Sequence, residues 1–258
     1  MSPPSSSPSP ERPRKSRALS IVLWSLVVAA GYGLYSGRLV VPERFNPWAP
    51  LDVMATPNLL TSYKLSRARS SAEPCLAALA QTGMQYDVLP DRITAPGCGF
   101  ENAVRLKSAD VRIGAPLSLS CPMALSFFMW EKHALQAAAQ QHFGQRVAAI
   151  DHLGSYACRN INRGEGAPPD DPGGARSRHA TANALDIAGF TLENGQKITV
   201  LNAWPHAADR SAAGPQGQML RDAHAGACRF FNGVLGPDYN AVHRDHFHLE
   251  TGGYSMCR

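Results

Sequence analysis

The sequence contains no two cysteines spaced as Cys-x-x-Cys, although it has six cysteines in 258 residues. A structural zinc knuckle usually holds its metal with such pairs, so this class of site is not expected. The helical metalloprotease pattern His-Glu-x-x-His is also missing. Ser177 does not lie in a Gly-x-Ser-x-Gly context, which argues against a serine nucleophile.

Charge is scarce and unevenly placed. Charged residues make up 17% of the chain, against 44% apolar residues, and the formal net charge is +5. Four of the basic residues lie before residue 18, opposed only by Glu11; they are Arg12, Arg14, Lys15 and Arg17. Without this tail the chain is nearly neutral, so its basic character does not indicate a nucleic-acid-binding groove. We expect no nucleic-acid partner.

An apolar run without any charge covers residues 18–35 and follows a tail rich in Pro and Ser. With its flanks the run is just long enough to cross a bilayer, and the basic residues before it favour a cytoplasmic N-terminus. We predict a disordered basic cytoplasmic tail at 1–17, a transmembrane anchor at 18–36, a spacer at 37–56 and an outward-facing globular domain at 57–258. A signal peptide has the same layout and is the alternative.

All six cysteines follow the apolar run, which indicates disulfide bonds in an oxidising compartment. Pairing them in chain order predicts the bonds Cys75–Cys98, Cys121–Cys158 and Cys228–Cys257. Buried free thiols in a cytosolic protein are the alternative interpretation.

Hydrophobic periodicity predicts an α+β domain without internal repeats. Apolar residues between Pro122 and Phe143 recur at about 3.6 positions, as in a helix, and Gly144 should end it. Further helices are predicted at Cys75–Ala80 and Met219–Leu235, and a turn at Gly97–Gly99. Strands are predicted at Met84–Leu89, Val104–Leu106, Leu117–Leu119, Val147–Ile150, Ala184–Phe190, Lys197–Val200 and Asp245–Glu250. This irregular mixture favours a small, largely antiparallel sheet flanked by helices.

Two blocks of the sequence offer metal ligands. His179 and Asp186 are seven positions apart and follow a Gly-, Pro- and Asp-rich loop at 162–176. His246 and His248 are two apart in a predicted strand, where alternate side chains point to the same face. Asp245 should point to the other face unless the strand ends or twists there. Such N and O ligands suit a catalytic zinc, which takes three protein ligands and a water, although other divalent ions accept them too.

The ordered set of Ser177-x-His179, Asp186 and His246-x-His248 resembles the zinc D-Ala-D-Ala peptidases. These share a fold with the hedgehog signalling domain and with bacterial murein endopeptidases. The stretches 154–159, 177–190 and 235–248 are similar to one branch of that superfamily, the extensin-like C-terminal domain proteins, over roughly residues 57–258. The resemblance implies a hedgehog/DD-peptidase-like fold for this domain.

The resemblance also implies a role for each site residue. His179, Asp186 and His248 would bind Zn²⁺. Asp245 stands where the peptidases usually have a Glu general base. His246 matches a catalytic histidine of the endopeptidases that does not bind metal; it would stabilise the tetrahedral oxyanion or share the proton transfer. Substrate would be bound by Arg159, which could clamp a carboxylate, and by Ser177. Ala182 or Asn183 stands where peptidases commonly have Gly.

The function implied is a zinc peptidase, anchored in the inner membrane and facing the periplasm, that cleaves peptidoglycan stem peptides or cross-links. The alternative is a non-catalytic wall-binding module in which zinc only holds the fold. In endopeptidases of the lysostaphin type, three residues separate the corresponding His and Asp. Six residues lie between His179 and Asp186, so this type is disfavoured. No oligomeric state is predicted.

Overall fold

The chain forms two units, Met1–Asn46 and Pro47–Arg258. The computed structural model describes residues 15–161, 174–205 and 213–258. Most of the expected tail at 1–17 and of the expected loop at 162–176 therefore lies outside the described residues.

The first unit contains one long helix, α1 (Lys15–Tyr35), and a 3-10 turn at Glu43–Phe45. Its stretch Ala18–Tyr35 is long and apolar enough to cross a membrane, and a signal sequence near an N-terminus has the same properties. The apolar helix expected here is confirmed. The choice between anchor and signal sequence stays a prediction.

The second unit begins at Pro47, earlier than the boundary expected at residue 57. Leu51 and Val53 are buried in its core, and the Val53 carbonyl lies 2.8 Å from His133 Nε2. Part of the expected spacer is thus built into the domain. The helices of this unit are α2 (Thr61–Ala68), α3 (Ala72–Leu79), α4 (Cys121–Trp130), α5 (Gln136–Phe143), α6 (Val200–Ala203) and α7 (Pro215–Ala227).

The strands form three sheets, and all but one of their pairings are antiparallel. The largest sheet has the order β11-β9-β10-β7-β6, with β8 paired to β7; β11 and β9 are parallel. The others are β1-β4-β5 and the hairpin β2-β3. The strands are β1 (Gln85–Leu89), β2 (Arg92–Ala95), β3 (Cys98–Phe100), β4 (Ala103–Ser108), β5 (Leu117–Ser120), β6 (Val147–Gly154), β7 (Ala184–Leu192), β8 (Lys197–Thr199), β9 (Gly233–Leu235), β10 (Phe247–Glu250) and β11 (Met256–Cys257). The expected α+β class is confirmed.

The core lies between the helices and one face of the largest sheet. Leu185 and Ile187 of β7 and Phe247 and Leu249 of β10 are fully buried. Trp130 of α4 packs 6.2 Å from the Phe190 ring, and its Nε1–H donates to the Ala223 carbonyl of α7 at 2.8 Å. Since side chains alternate along a strand, the intervening residues of β7 and β10 point to the opposite face.

The long helix expected from Pro122 to Phe143 is present as α4 and α5, joined by a π turn at Glu131–Leu135. Gly144 ends it with a φ of 63°, as expected. Gln136 binds the Val147 N–H and carbonyl at 2.9 and 3.0 Å, and its Nε2 also donates to Glu131 at 2.7 Å. This pairing connects the π turn to the start of β6.

Three expectations about secondary structure are wrong in part. The helix expected over Met219–Leu235 ends at Ala227, because Gly233–Leu235 pair with β10 and β11 as β9. Cys98 and Gly99 belong to β3 rather than to a turn. Val200 begins α6 instead of ending a strand.

The disulfide bonds join Cys75 to Cys121, Cys98 to Cys158, and Cys228 to Cys257, with Cα–Cα distances of 6.1, 5.5 and 5.8 Å. The last pair is as expected, and the expected bonds Cys75–Cys98 and Cys121–Cys158 are wrong. Chain order fails because the fold brings α3 to the start of α4 and brings β3 to the segment after β6. Every cysteine is bonded, so the interpretation as free thiols is wrong too.

Peptide mapping of the unreduced full chain in detergent, after alkylation and proteolysis at acidic pH, should recover peptides that join Cys75 to Cys121 and Cys98 to Cys158. The short Cα–Cα distances of these pairs allow the bonds without backbone movement. Recovery of Cys75 joined to Cys98 would contradict the fold around α3 and β3. Cys228–Cys257 is the internal control, because sequence order and structure agree on it.

Candidate metal centre

The centre is built on a cross-strand pair. Strands β7 and β10 are antiparallel, and His248 lies directly opposite Asp186 in their register. Directly opposed residues on one face are the closest neighbours in such a pair. His248 Nδ1 lies 2.8 Å from Asp186 Oδ1. Both side chains point away from the apolar core and into a cavity of about 1000 Å³.

His179 reaches the same point from a 3-10 turn at Arg178–Thr181. Ser177 caps this turn, since its Oγ accepts the His179 N–H at 3.3 Å. The turn ends at buried Ala182, whose φ is 55°. This left-handed conformation costs a residue with a Cβ on the order of 1 kcal/mol, and it costs Gly little. The Ser120 N–H donates to the Ala182 carbonyl at 2.8 Å and holds this conformation.

The three side chains fit a tetrahedral zinc ion. His179 Nδ1 lies 3.2 Å from the Ser155 carbonyl, so Nδ1 carries the proton and Nε2 is the free donor atom. That Nε2 lies 3.1 Å from Asp186 Oδ2 and 3.3 Å from His248 Nδ1. Ligands at the usual zinc bond lengths in a tetrahedron are about 3.3 Å apart. The expected set of His179, Asp186 and His248 is therefore brought together with suitable spacing.

The pKa values of Asp186 and His248 are shifted as expected for groups in such close contact. Burial by itself would raise the pKa of Asp186, but hydrogen bonds with His179 and His248 hold it well below its usual range. Burial by itself would lower the pKa of His248, but Asp186 and Glu250 raise it to about 9. A divalent cation bound here has to displace the proton of His248, because only a deprotonated nitrogen can be its ligand.

Glu250 belongs to the centre and was not predicted. Its Oε2 lies 3.1 Å from His248 Nε2, the nitrogen that does not face Asp186. Glu250 is two residues after His248 in β10, so the same-face argument used for His246 would have found it. Opposite it stands Gly233, where a Cβ would overlap the Glu250 side chain. A carboxylate on the second nitrogen of a ligand histidine fixes the ring and its tautomer.

His246 and Asp245 form a pair beside the three ligands. His246 Nδ1 lies 2.9 Å from Asp245 Oδ1, and His246 Nε2 lies 3.7 Å from Asp186 Oδ1. Asp245 can reach the site because β10 begins only at Phe247. The pair therefore places one histidine nitrogen at the edge of the centre and the carboxylate behind it.

His243 is a second residue that the site assignment missed. Its Nδ1 lies 2.7 Å from Asn240 Oδ1, and its ring is 5.2 Å from that of His246 and 5.7 Å from that of His248. Burial, followed by the charges of His248 and His246, lowers its pKa to about 4. His243 is therefore neutral at pH 7 and packs as a wall of the centre.

The expected substrate residues Arg159 and Ser177 line the same cavity. The Ser177 N–H donates to the Arg159 carbonyl at 3.0 Å, so the two residues lie on adjacent extended segments. The Cys98–Cys158 bond anchors the first of these segments. Arg159 is half-buried, and the only hydrogen bond of its guanidinium to a described residue is a long one, 3.4 Å, to the Asn160 carbonyl.

One other group of metal-ligand types occurs in the described residues, namely His224, Cys228 and Cys257. Its two cysteines are bonded to each other and offer no thiolate. With the disulfide intact, His224 is the only residue of the group that can bind a metal ion, so the group is a poor metal site.

Comparison with known proteins gives one match. Residues 73–258 match the family model described as Extensin-like protein C-terminus. No curated protein and no solved structure matches the chain.

Substituting Glu250→Gln should lower the zinc affinity of the full chain by about 10- to 100-fold, because His248 loses the carboxylate that orients it. Competition with a chelator of known affinity measures the change. Glu73→Gln, an exposed substitution on α3, is the matched control and should have no effect. Equal zinc affinity in Glu250→Gln and in the unsubstituted chain would exclude this role.

Proposed function

We propose that this chain, which belongs to the Extensin-like protein C-terminus family, is a zinc-dependent peptidase that cleaves peptidoglycan stem peptides or cross-links. The observation that carries the proposal is the meeting of the His179, Asp186 and His248 side chains at the wall of a large cavity. Their facing nitrogen and oxygen atoms lie 2.8–3.3 Å apart. Its likeness to the zinc D-Ala-D-Ala peptidases in these residues supports the same reaction.

Zinc held by these residues would polarise the amide carbonyl and lower the pKa of its bound water to about 7. His246 is the best placed group to receive the water's proton. Its Nδ1–H donates to Asp245, which leaves Nε2 as the basic nitrogen facing the centre. The same Nε2 would then return the proton to the leaving amine. In this assignment Asp245 orients the base, while direct proton transfer by Asp245 is the alternative.

Arg159 and Ser177 would bind the substrate. The half-buried Arg159 guanidinium can hold a carboxylate through two parallel hydrogen bonds, which suits a peptide with a free C-terminus. Ser177 Oγ accepts the His179 N–H, and its hydroxyl proton has no acceptor among the described residues, so it can be donated to substrate.

The proposed location is the inner membrane, with α1 as a single-pass anchor and the second unit in the periplasm. Three disulfide bonds support an oxidising compartment. Basic residues precede the apolar run, which favours a cytoplasmic N-terminus. A short connection to the membrane would keep the domain close to the cell wall.

A non-catalytic wall-binding module with a structural zinc is the second candidate. It is favoured by Asp245, which is shorter than the Glu of the peptidases and bonds to His246. In that case the domain would bind peptidoglycan and zinc without releasing products.

Incubation of the full chain in detergent with zinc and isolated peptidoglycan should release new muropeptides, identified by mass spectrometry. His179→Ala should abolish both zinc binding and release, because one of three ligands is lost, and a chelator should act similarly. His142→Ala is the matched control, since His142 pairs with Asp222 on helices α5 and α7. Full activity in His179→Ala would refute the metal site; an unchanged muropeptide profile from folded, zinc-loaded protein would favour the binding module.

Substituting His246→Ala should lower kcat by about 100- to 10,000-fold and leave zinc affinity nearly unchanged, because His246 moves the proton without binding the metal. Asp245→Asn should produce a smaller loss, since it only orients His246. Steady-state kinetics on a released muropeptide and zinc titration together test this order. A larger loss in Asp245→Asn than in His246→Ala would instead make Asp245 the base.

A further inference from the structure

Arg178 lies on the wall between two cavities. One is the cavity of the metal centre, and the other, of about 850 Å³, lies beside the β2–β3 hairpin. We call the second one the hairpin cavity. Its lining includes the hairpin residues Arg92, Ile93 and Gly97–Phe100, together with Ser120, Thr181 and Asn183. Arg178 contributes to both linings, so a ligand that occupied both cavities would lie beside it.

The Arg178 guanidinium rests on the backbone of a Gly-Gly turn. A Cβ built at Gly253 would lie 2.5 Å from Arg178 Nη2 and 3.2 Å from its Cζ. Gly252 and Gly253 both have a positive φ, of 76° and 75°. The turn thus supplies a flat, side-chain-free support that holds the half-buried guanidinium in place.

This guanidinium has no acceptor among residues 15–161, 174–205 and 213–258. Arg176 next to it is different, since its Nε and Nη1 donate to the Pro96 carbonyl and to Asn160 Oδ1, each at 3.1 Å. Arg221 is paired with Asp238 at 3.1 Å. Within the described part of the chain, Arg178 therefore keeps its donors for another molecule.

The carboxylates of the metal centre are already engaged. Asp186 contacts His179 and His248, Glu250 contacts His248, and Asp245 contacts His246. A fixed guanidinium without a carboxylate partner is suited to bidentate recognition of a carboxylate that arrives with a ligand.

We infer that the hairpin cavity is a second subsite for substrate, with Arg178 binding a carboxylate of an acidic peptide where the two cavities meet. The inference rests on the proposed function, because it takes the peptide to extend from the metal centre past Arg178. It names the substrate class as a peptide that carries an acidic group away from the bond that is cut. Arg178 is then a specificity residue that touches substrate at a distance from the reacting atoms.

The test measures equilibrium binding of two probes to the full chain in detergent, zinc-loaded and in the His246→Ala background to prevent turnover. One probe is a fluorescent stem pentapeptide with all its carboxylates free. The other keeps the free C-terminus that Arg159 is proposed to bind, and only its internal carboxylates are amidated. The chain should bind the acidic probe more tightly by about tenfold, the effect of one good charge-assisted contact. Arg178→Gln should remove this preference, and Arg178→Lys should restore part of it.

Arg105→Gln is the matched control, because Arg105 is exposed on β4 and lines neither cavity. It changes the net charge equally and should leave both affinities unchanged. Equal weakening of both probes by Arg178→Gln, or no weakening of either, would overturn the inference. Binding is measured without turnover, so this test can succeed even where the proposed reaction fails. An Arg178-dependent preference in the His246→Ala background, together with no cleavage by the unsubstituted chain, would refute the proposed reaction and leave the subsite standing.

The path of the peptide can be mapped separately. A photoreactive group on the end of the acidic probe away from the scissile bond should cross-link to hairpin residues 92–100, which mass spectrometry locates. Cross-links confined to residues that line only the cavity of the metal centre and are distant in sequence from the turn at 252–253, such as Tyr239, would contradict the second subsite.

Discussion

The register of β7 against β10 is the constraint on which the centre depends. It sets Asp186 opposite His248, and a slip of one residue would turn every side chain of a strand to the other face. The register is itself held by burial, because Leu185, Ile187, Phe247 and Leu249 lose their core contacts in any slipped pairing. The apolar residues of these strands therefore determine where the metal ligands meet.

Several hydrogen bonds hold the turn of the third candidate ligand, His179, against this pair. Asn183 is central to them, since its Oδ1 accepts from Ser120 Oγ at 2.6 Å and from Thr251 Oγ1 at 3.2 Å. The Thr251 N–H also donates to the Asn183 carbonyl at 2.9 Å. The turn of His179 is thus tied to β5 and to the end of β10. Such a network can stabilise the left-handed conformation of Ala182, which the local sequence would not favour.

The parts predicted from sequence are those that depend on local periodicity. A helical period located the helix from Pro122 onwards. The strand expected from Asp245 begins only at Phe247, so His246 reaches the centre from outside β10. The disulfide pairs depend on packing between distant elements, which periodicity does not encode, and chain order was wrong for Cys75 and Cys121. Short strands such as β9 and β11 exist only because a neighbour supplies their hydrogen bonds.

The site residues also divide into those that the sequence predicted and those that depend on distant parts of the chain. The candidate ligands His179, Asp186 and His248 are implied by the resemblance to the zinc peptidases. Glu250 lies outside that resemblance, although the same-face argument applies to it as well. Arg178 has no sequence signal at all. Its side chain lines two cavities and lies against the turn at 252–253, which is distant from Arg178 in the sequence.

The surroundings of the centre favour a chemical role for zinc over a purely structural one. A structural zinc site is usually closed by four protein ligands, but within the described ranges only three suitable side chains converge here. They open into a cavity that also holds Arg159 and His246. The second unit also has a continuous apolar core and three disulfide bonds, so it has other sources of stability than a metal ion. A zinc ion held beside a histidine whose partner carboxylate fixes its tautomer would be well placed for chemistry, which supports the proposed peptidase over the binding module.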